Sequence, residues 1–242
     1  MDVPATRYAD TERGAIAFQV VGDGPLTILV NKPPSLPVDL MWEEPSLVRF
    51  LTGLGSFSRS IWFDALGTGS SDALEEIENR LFEGVVADMA SVLDEIRCQR
   101  AVVLGLGGAW PSILFSATYP DRTQALVLHN PTARLRRAPN YPGGLPDDLV
   151  DDLIRRSRLD VEGFTSYGMP SPELMSNARF VQWTQRCERL ATTPTHRQWR
   201  IRTALSLDFR SVLPTIHVPT LVVLQGPPIS GPGAGGICCR AH

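Results

Sequence analysis

The sequence predicts an α/β protein organised around a mostly parallel sheet, and three observations carry that prediction. Strand-like and helix-like patterns alternate through the first half of the chain, the order that builds parallel strands joined by helical crossovers. Two strand-like runs, 101–104 and 125–129, are apolar but for the closing His129, as strands covered by helices on both faces are. The chain's 242 residues, 43% hydrophobic and 20% charged, are enough to bury the core of one such domain.

Taken in order, the elements begin with β-rich stretches at 15–21 and 26–30 on either side of Gly22-Asp23-Gly24. Asp-Gly tolerates the positive φ of a tight turn, so a hairpin is expected there. Asn31-Lys32-Pro33-Pro34 and Pro37 end the second strand. Pro45 opens a helical pattern in which Leu47, Val48, Phe50, Leu51 and Leu54 recur at three- and four-residue steps. A short strand at 59–63 runs into a turn-rich stretch, 64–72. The clearest helix is 81–97, where Leu81, Phe82, Val85, Val86, Met89, Val92, Leu93 and Ile96 form one apolar stripe. After the strand at 101–104, Gly105-Leu106-Gly107-Gly108 is read as a turn into a helix that starts near Pro111 and stops before Pro120. The strand at 125–129 follows. From 132 to 213 the chain is helical in character and rich in Arg, Asp and Pro, and 220–224 supplies a last buried strand. The tail, 226–242, holds five Gly, three Pro and two Cys without apolar periodicity, so neither helix nor strand is expected in it.

Charge and composition narrow the function classes. A net charge of −3 and a pI near 5.8 give no general pull toward nucleic acid or an anionic membrane. No run approaches the 18 apolar residues of a membrane span, and the first thirty residues hold no signal-like apolar run, so a cytoplasmic protein without a membrane partner is expected. Cys98, Cys187, Cys238 and Cys239 show no CxxC spacing, which argues against a zinc site or disulfide framework and suits a reducing compartment.

The glycine turn at 105–108 admits several chemistries. A dinucleotide fingerprint would need a third glycine where Trp110 stands, and a P-loop would need Gly-Lys-Ser/Thr, so no cofactor is expected. A nucleophile elbow, G-x-S-x-G, exposes a serine on a strained strand-to-helix turn. Gly105, Gly107 and Ala109 have the small size that turn needs, yet Gly107 occupies the serine position and has no side chain with which to form an acyl intermediate. A plain tight βα turn accounts for the same glycines.

The surrounding residues resemble a known family. Phe63-Asp64-Ala65-Leu66-Gly67-Thr68-Gly69-Ser70-Ser71-Asp72 is similar to the D-x-R-G-x-G-x-S-D signature of α/β-hydrolases, with Leu66 in place of the arginine. Further stretches are similar to the α/β-hydrolase domain that precedes class III adenylate cyclase domains in actinobacterial proteins. These are Ala17 to Leu26, Trp42-Glu43-Glu44-Pro45, Arg49-Phe50-Leu51, Ala117 to Thr123, and Asp208 to Thr220. The resemblance implies an α/β-hydrolase fold with core segments 1–131 and 214–225, a helical lid at 132–213 and an irregular tail at 226–242. The tail is expected to leave that fold short of its last elements, as a lost reading frame after Leu224 would.

What the resemblance implies for catalysis must be checked position by position. The triad acid should follow the strand at 220–224, but no Asp or Glu occurs after Asp208. The triad histidine should come later still, where only His242 remains. His217 precedes that strand, at the end of the sheet away from a site, and His196 lies in the lid, where it is expected to be solvated. The backbone donors of an oxyanion hole would be Gly108 and either Asn31 or Lys32, because Pro33 and Pro34 have no N–H. Weak substitutes for the missing groups are Ser112, which lies inside the helix, Asp64, which ends a strand, and His129, which ends another and is placed to face a pocket. Ser70 and Ser71 are expected to satisfy turn backbone.

Two other clusters stand out. Arg134, Arg136, Arg137, Arg155, Arg156 and Arg158 bracket Asp147, Asp148, Asp151 and Asp152, a pattern of mutual pairing rather than of anion binding. Trp183 and Trp199, with Phe180, Val181 and Leu190, are expected to pack the lid on the core or line an apolar pocket beneath it. The expected function is therefore a degenerate, catalytically silent hydrolase-like domain holding a small apolar ligand under its lid, a sensing or interaction module. The alternative is an ester or peroxide hydrolase with a non-standard constellation.

Overall fold

The structure, a computed structural model, describes residues 2–74, 81–159, 174 and 176–224. The expected irregular tail at 226–242, with Cys238, Cys239 and His242, lies outside the described residues. A seven-stranded sheet forms the centre. Its strands are β1 (Arg7–Ala9), β2 (Ile16–Val21), β3 (Leu26–Asn31), β4 (Ser58–Phe63), β5 (Ala101–Gly108), β6 (Thr123–Pro131) and β7 (Thr220–Val223), in the spatial order β1-β2-β4-β3-β5-β6-β7. The β1–β2 and β2–β4 pairings are antiparallel and every other pairing is parallel.

The hairpin expected at Gly22-Asp23-Gly24 does not form, because β4 lies between β2 and β3. Those glycines instead let the chain pass close to neighbouring backbone. Gly22 has φ +80, and a Cβ there would lie 2.2 Å from the Gly55 carbonyl oxygen and 2.3 Å from that of Ser58. The three-residue strand β1 has no counterpart in the sequence reading, being too short to show a period.

The helices are α1 (Pro45–Gly55), α2 (Leu81–Glu95), α3 (Trp110–Thr118), α4 (Asp147–Leu159), α5 (Ala178–Ala191) and α6 (Pro194–Ser206). Alternation along the strands divides the core in two. Val21, Ile28, Val30, Trp62 and Leu104 pack toward Leu51 of α1 and Val38 and Met41 of the 3-10 turn Val38–Glu43. Phe18, Leu29, Ile61, Val103 and Leu126 pack toward the α2 stripe of Val85, Met89, Val92 and Leu93 and toward Ile113 and Phe115 of α3. The stripe read from the sequence is thus the buried face of α2. Helices α4, α5 and α6 come between β6 and β7 in the chain.

At the glycine turn the structure departs from the sequence reading. Strand β5 does not stop at Leu104; it continues through the glycines, Gly105 pairing with Leu128 and Gly108 with Pro131. The turn is compressed into a few residues: Gly107 has φ +64, Ala109 has φ +59, the Ala109 N–H donates to the Gly107 carbonyl at 2.6 Å, and α3 starts at Trp110. Glycine persists in a buried strand where backbone must come close to something else. Here a Cβ at Gly105 would meet Cβ of Ala109 at 2.7 Å and Oγ of Ser112 at 2.8 Å.

Candidate functional site: a cavity at the elbow

The β5–α3 turn opens onto a cavity of about 60 Å³ at the C-terminal ends of β3, β4 and β5. Asn31 and Gly107 line it, and Leu81, Phe82, Val85 and Trp110 give it apolar walls. Pro33, Pro34 and Pro111 contribute rigid rims, and Lys32 and Arg200 bring positive charge. Phe82 and Trp110 meet edge to face at 5.7 Å, and the Trp110 indole N–H donates to the Thr132 carbonyl at 2.7 Å, so the wall is fixed by packing and by a hydrogen bond. Phe209, from the segment before β7, packs edge to face on the other side of Phe82 at 5.9 Å.

The sequence-predicted residues distribute unevenly around this cavity. Gly107 lines it from the position where an elbow presents its nucleophile, and offers only a hydrogen. Asn31 and Lys32 also line it, and Pro33 and Pro34 beside them have no N–H to add, while Gly108, the other expected backbone donor, is not among the described lining residues. Ser112 does not reach the cavity. It is fully buried beneath Gly105, and its Oγ has no hydrogen-bond partner among the described residues. His129, half-buried, pairs with Leu106 on one side and Val223 on the other, and it is not among the described lining residues, contrary to the expectation that it faces the pocket.

Asp64 has a different role from a catalytic acid. Its carboxylate is fully buried and accepts from Lys32 Nζ at 2.6 Å, the Val38 N–H at 3.2 Å and the Ser70 N–H at 2.9 Å. It therefore ties the loop after β3 to the loop after β4. The glycine of the signature serves the same contact: at Gly69, φ +54, a Cβ would lie 2.0 Å from Asp64 Oδ2. Ser71 satisfies turn backbone as expected, donating to the Asp64 carbonyl and accepting from the Ala17 N–H, whereas the Ser70 hydroxyl donates to the Asp39 carboxylate at 2.6 Å. Asp72 accepts from the Ala15 N–H at 2.8 Å.

The lid supplies the group that sequence reasoning missed. Arg200 of α6 is buried, lines the cavity, and donates from Nη2 to the Leu66 carbonyl at 3.3 Å. The available signal was that Arg197 and Arg200 share the helical face of Ile201 and Ala204, an inward position for a cation. Arg197 is also buried, held by the Glu188 carbonyl at 3.1 Å with the Glu188 carboxylate 3.7 Å away. His196 is half-buried rather than solvated; burial, then the charge of Arg200, holds its imidazole below the usual histidine range. Burial, with Glu43 adding to it, pushes the Cys187 thiol up to about 12. Trp183 donates to the Leu40 carbonyl at 3.0 Å and Phe180 is buried, so the lid does pack on the core, but Leu190 is 56% exposed and takes no part. His217 is exposed and precedes β7, at the end of the sheet away from the cavity.

The arginine-rich start of the lid pairs with carboxylates, partly inside the stretch as its charge pattern implied and partly with Asp208 beyond it. Arg136 meets Asp147 at 2.9 Å, Arg155 and Arg156 both meet Asp152, and Arg134 joins Arg210 on Asp208. The hydrogen bond from Arg210, with that from Arg134, holds the Asp208 carboxyl well below the usual carboxylate range. Among the described residues no group of three His, Cys, Asp or Glu is placed to hold a metal ion, and no helix is long and apolar enough to cross a membrane.

No family model matches the chain. Solved structures similar to it include the enol-lactonase from Burkholderia xenovorans LB400, at a TM-score of 0.71 and 16% identity over 89% of this chain and 80% of that one. The bromoperoxidase from Bacillus anthracis has a TM-score of 0.71 at 20% identity, covering 91% of this chain and 80% of that one. A hydrolase from Pseudomonas aeruginosa has a TM-score of 0.70 at 22% identity, with 91% and 80% covered. With the sheet order above, these likenesses establish the α/β-hydrolase fold. A curated protein of Bacillus subtilis (strain 168), provisionally named 2-succinyl-6-hydroxy-2,4-cyclohexadiene-1-carboxylate synthase, is 29% identical over 135 residues. That match covers 55% of this chain and 48% of the relative, so the chain spans about half the length of the curated relative it matches.

Proposed function

We propose that this chain is a catalytically silent module of the α/β-hydrolase fold that holds a small ligand in the cavity between elbow and lid. The observation that carries the reading is Gly107. It has the positive φ of an elbow and lines the cavity at the nucleophile position, and it has no hydroxyl. Serine-type acyl transfer needs a nucleophile, a base within hydrogen-bond reach and an oriented acid. The substitutes do not meet: Ser112 lies under the strand, Asp64 is engaged by Lys32 and two backbone amides, and His129 pairs on the far strand. A cavity with apolar walls and without a nucleophile supports binding in place of turnover.

Similarity to the domain that precedes class III adenylate cyclase domains supports a cytoplasmic, regulatory setting in which occupancy of the cavity is the signal. Incubating the purified protein with p-nitrophenyl acetate and butyrate tests the silent reading. Release of p-nitrophenol should not exceed that of a mock preparation. Turnover that follows the protein through purification would replace this reading with the hydrolase suggested by the names of its structural neighbours.

A further inference from the structure

Beyond that reading, we infer that the chain has a second ligand site, for hydrogenphosphate, in a cleft lined by Arg7, Arg59, Arg97 and Glu95. The cleft has a volume of about 210 Å³ and shares no lining residue with the elbow cavity. It lies on the α2 face of the sheet, near the start of β4 and the end of α2, and Val20 and Ile96 complete its lining. Its charged groups are three arginines against one glutamate, a surplus of two positive charges. Among the described residues none of the four takes part in an ion pair. Asp94, the carboxylate next to Glu95, meets Arg122 at 2.7 Å instead. A dianion is the ligand that balances this surplus.

Two of the guanidiniums are held in place. Arg7 lies over the Phe18 ring, 5.0 Å from its centroid, and Arg59 donates from Nη2 to the Thr27 hydroxyl at 3.2 Å. The Arg97 guanidinium has no hydrogen bond or ion pair among the described residues, and its backbone is strained. Its φ is +52, the left-handed region that glycine enters freely and arginine does not. A side chain kept at such a position points to a use for it other than folding. The end of α2 does not turn open carbonyls on an anion there. Those of Val92, Leu93 and Asp94 accept from the N–H groups of Ile96, Cys98 and Arg97. Glu95 then selects among dianions, because a carboxylate accepts hydrogen bonds and donates none. Hydrogenphosphate brings it an O–H, whereas sulfate has no hydrogen and meets only repulsion. Size agrees: a cavity of about 150 Å³ takes benzene, which has more heavy atoms than hydrogenphosphate.

Isothermal calorimetry tests this with phosphate, sulfate and methyl phosphate at pH 8 and matched ionic strength, in a buffer free of other oxyanions. At that pH all three are dianions and only phosphate keeps an acidic hydrogen. Phosphate should bind at least about threefold more tightly than either of the others, a hydrogen-bonded charge discounted for partial exposure. Glu95→Gln, whose amide donates as well as accepts, should remove that preference. Arg97→Gly relieves the backbone and so should fold, yet it should weaken phosphate at least about threefold. Arg49→Gln changes the net charge equally, and should leave phosphate affinity as it was, since Arg49 is exposed on α1 on the other face of the sheet. No phosphate binding by the wild type, sulfate binding as tightly as phosphate, or equal losses in Arg97→Gly and Arg49→Gln would each overturn the inference. Methyl phosphate binding as tightly as phosphate would overturn the choice of hydrogenphosphate in favour of a phosphomonoester. The silent reading of the elbow stands or falls separately, on ester turnover.

Discussion

Replacing Asp64 with alanine should be among the most damaging single changes to the fold, and the structure allows its size to be worked out. The Lys32–Asp64 pair is buried on both sides, with side-chain exposures of 2% and 1% and an Nζ–Oδ1 distance of 2.6 Å. Alanine at 64 removes the one carboxylate that meets the Lys32 ammonium among the described residues and strands a charge away from water. Breaking such a pair from one side costs about 3–5 kcal/mol. The Val38 and Ser70 amides also lose their acceptor, and that loss falls within the same range when the loops relax. Against a total stability of roughly 5–15 kcal/mol this is a large fraction. In urea the unfolding midpoint should fall by about 1–2 M. Lys32→Met in the same background removes the stranded ammonium, so the double variant should be more stable than the sum of the single changes predicts by about 2 kcal/mol or more. A cost below about 1 kcal/mol for Asp64→Ala, or strict additivity in the cycle, would refute the claim that this pair joins the β3 and β4 loops.

Other expectations follow from local geometry. Arg97 sits just past α2 with φ +52, its N–H on the Asp94 carbonyl and the Cys98 N–H on the Leu93 carbonyl, the left-handed helix end that glycine favours. Arg97→Gly should raise stability by about 1 kcal/mol in chemical denaturation. Gly105→Val should destabilise by about 1–3 kcal/mol by driving β5 off α3, measured the same way, because Ala109 and Ser112 already occupy the space. The Cys187 thiol, pushed up to about 12 by burial, should resist iodoacetamide at pH 8 in the folded protein and react once it is unfolded, as peptide mass mapping would show.

Much of the fold was legible because its core strands and helices carry strong local patterns. The stripe from Leu81 to Leu93 survives as the buried face of α2, and the apolar runs at 101–104 and 125–129 lie in the central parallel strands β5 and β6. Pairing was less legible. Gly22-Asp23-Gly24 has the composition of a hairpin turn, but composition does not say that β4, more than thirty residues on, will insert between β2 and β3. The glycines at 105–108 likewise read as a turn because glycine favours turns; in the structure Gly105 is a strand residue whose missing side chain makes room for α3.

The site divides along the same line. That Gly107 stands at the serine position of a G-x-S-x-G spacing and has no hydroxyl was readable in the sequence, as was the absence of amide donors at Pro33 and Pro34. Arg200 was not, since α6 brings it to the same cavity as Gly107, almost a hundred positions earlier in the chain. Asp64 looked like a turn residue or a stray carboxylate, and only the approach of Lys32 and Val38 reveals it as the joint between two loops.

The central claim is that the elbow carries no activated hydroxyl. A fluorophosphonate reagent reports this directly, because it forms a covalent bond to a serine oxygen made nucleophilic by a neighbouring base, with loss of fluoride. Intact-mass spectrometry after prolonged exposure should return the unmodified mass of the chain. A stoichiometric adduct that maps to any serine would contradict the account, and an adduct on Ser112 would show that the residue beneath Gly105 reaches the cavity after all.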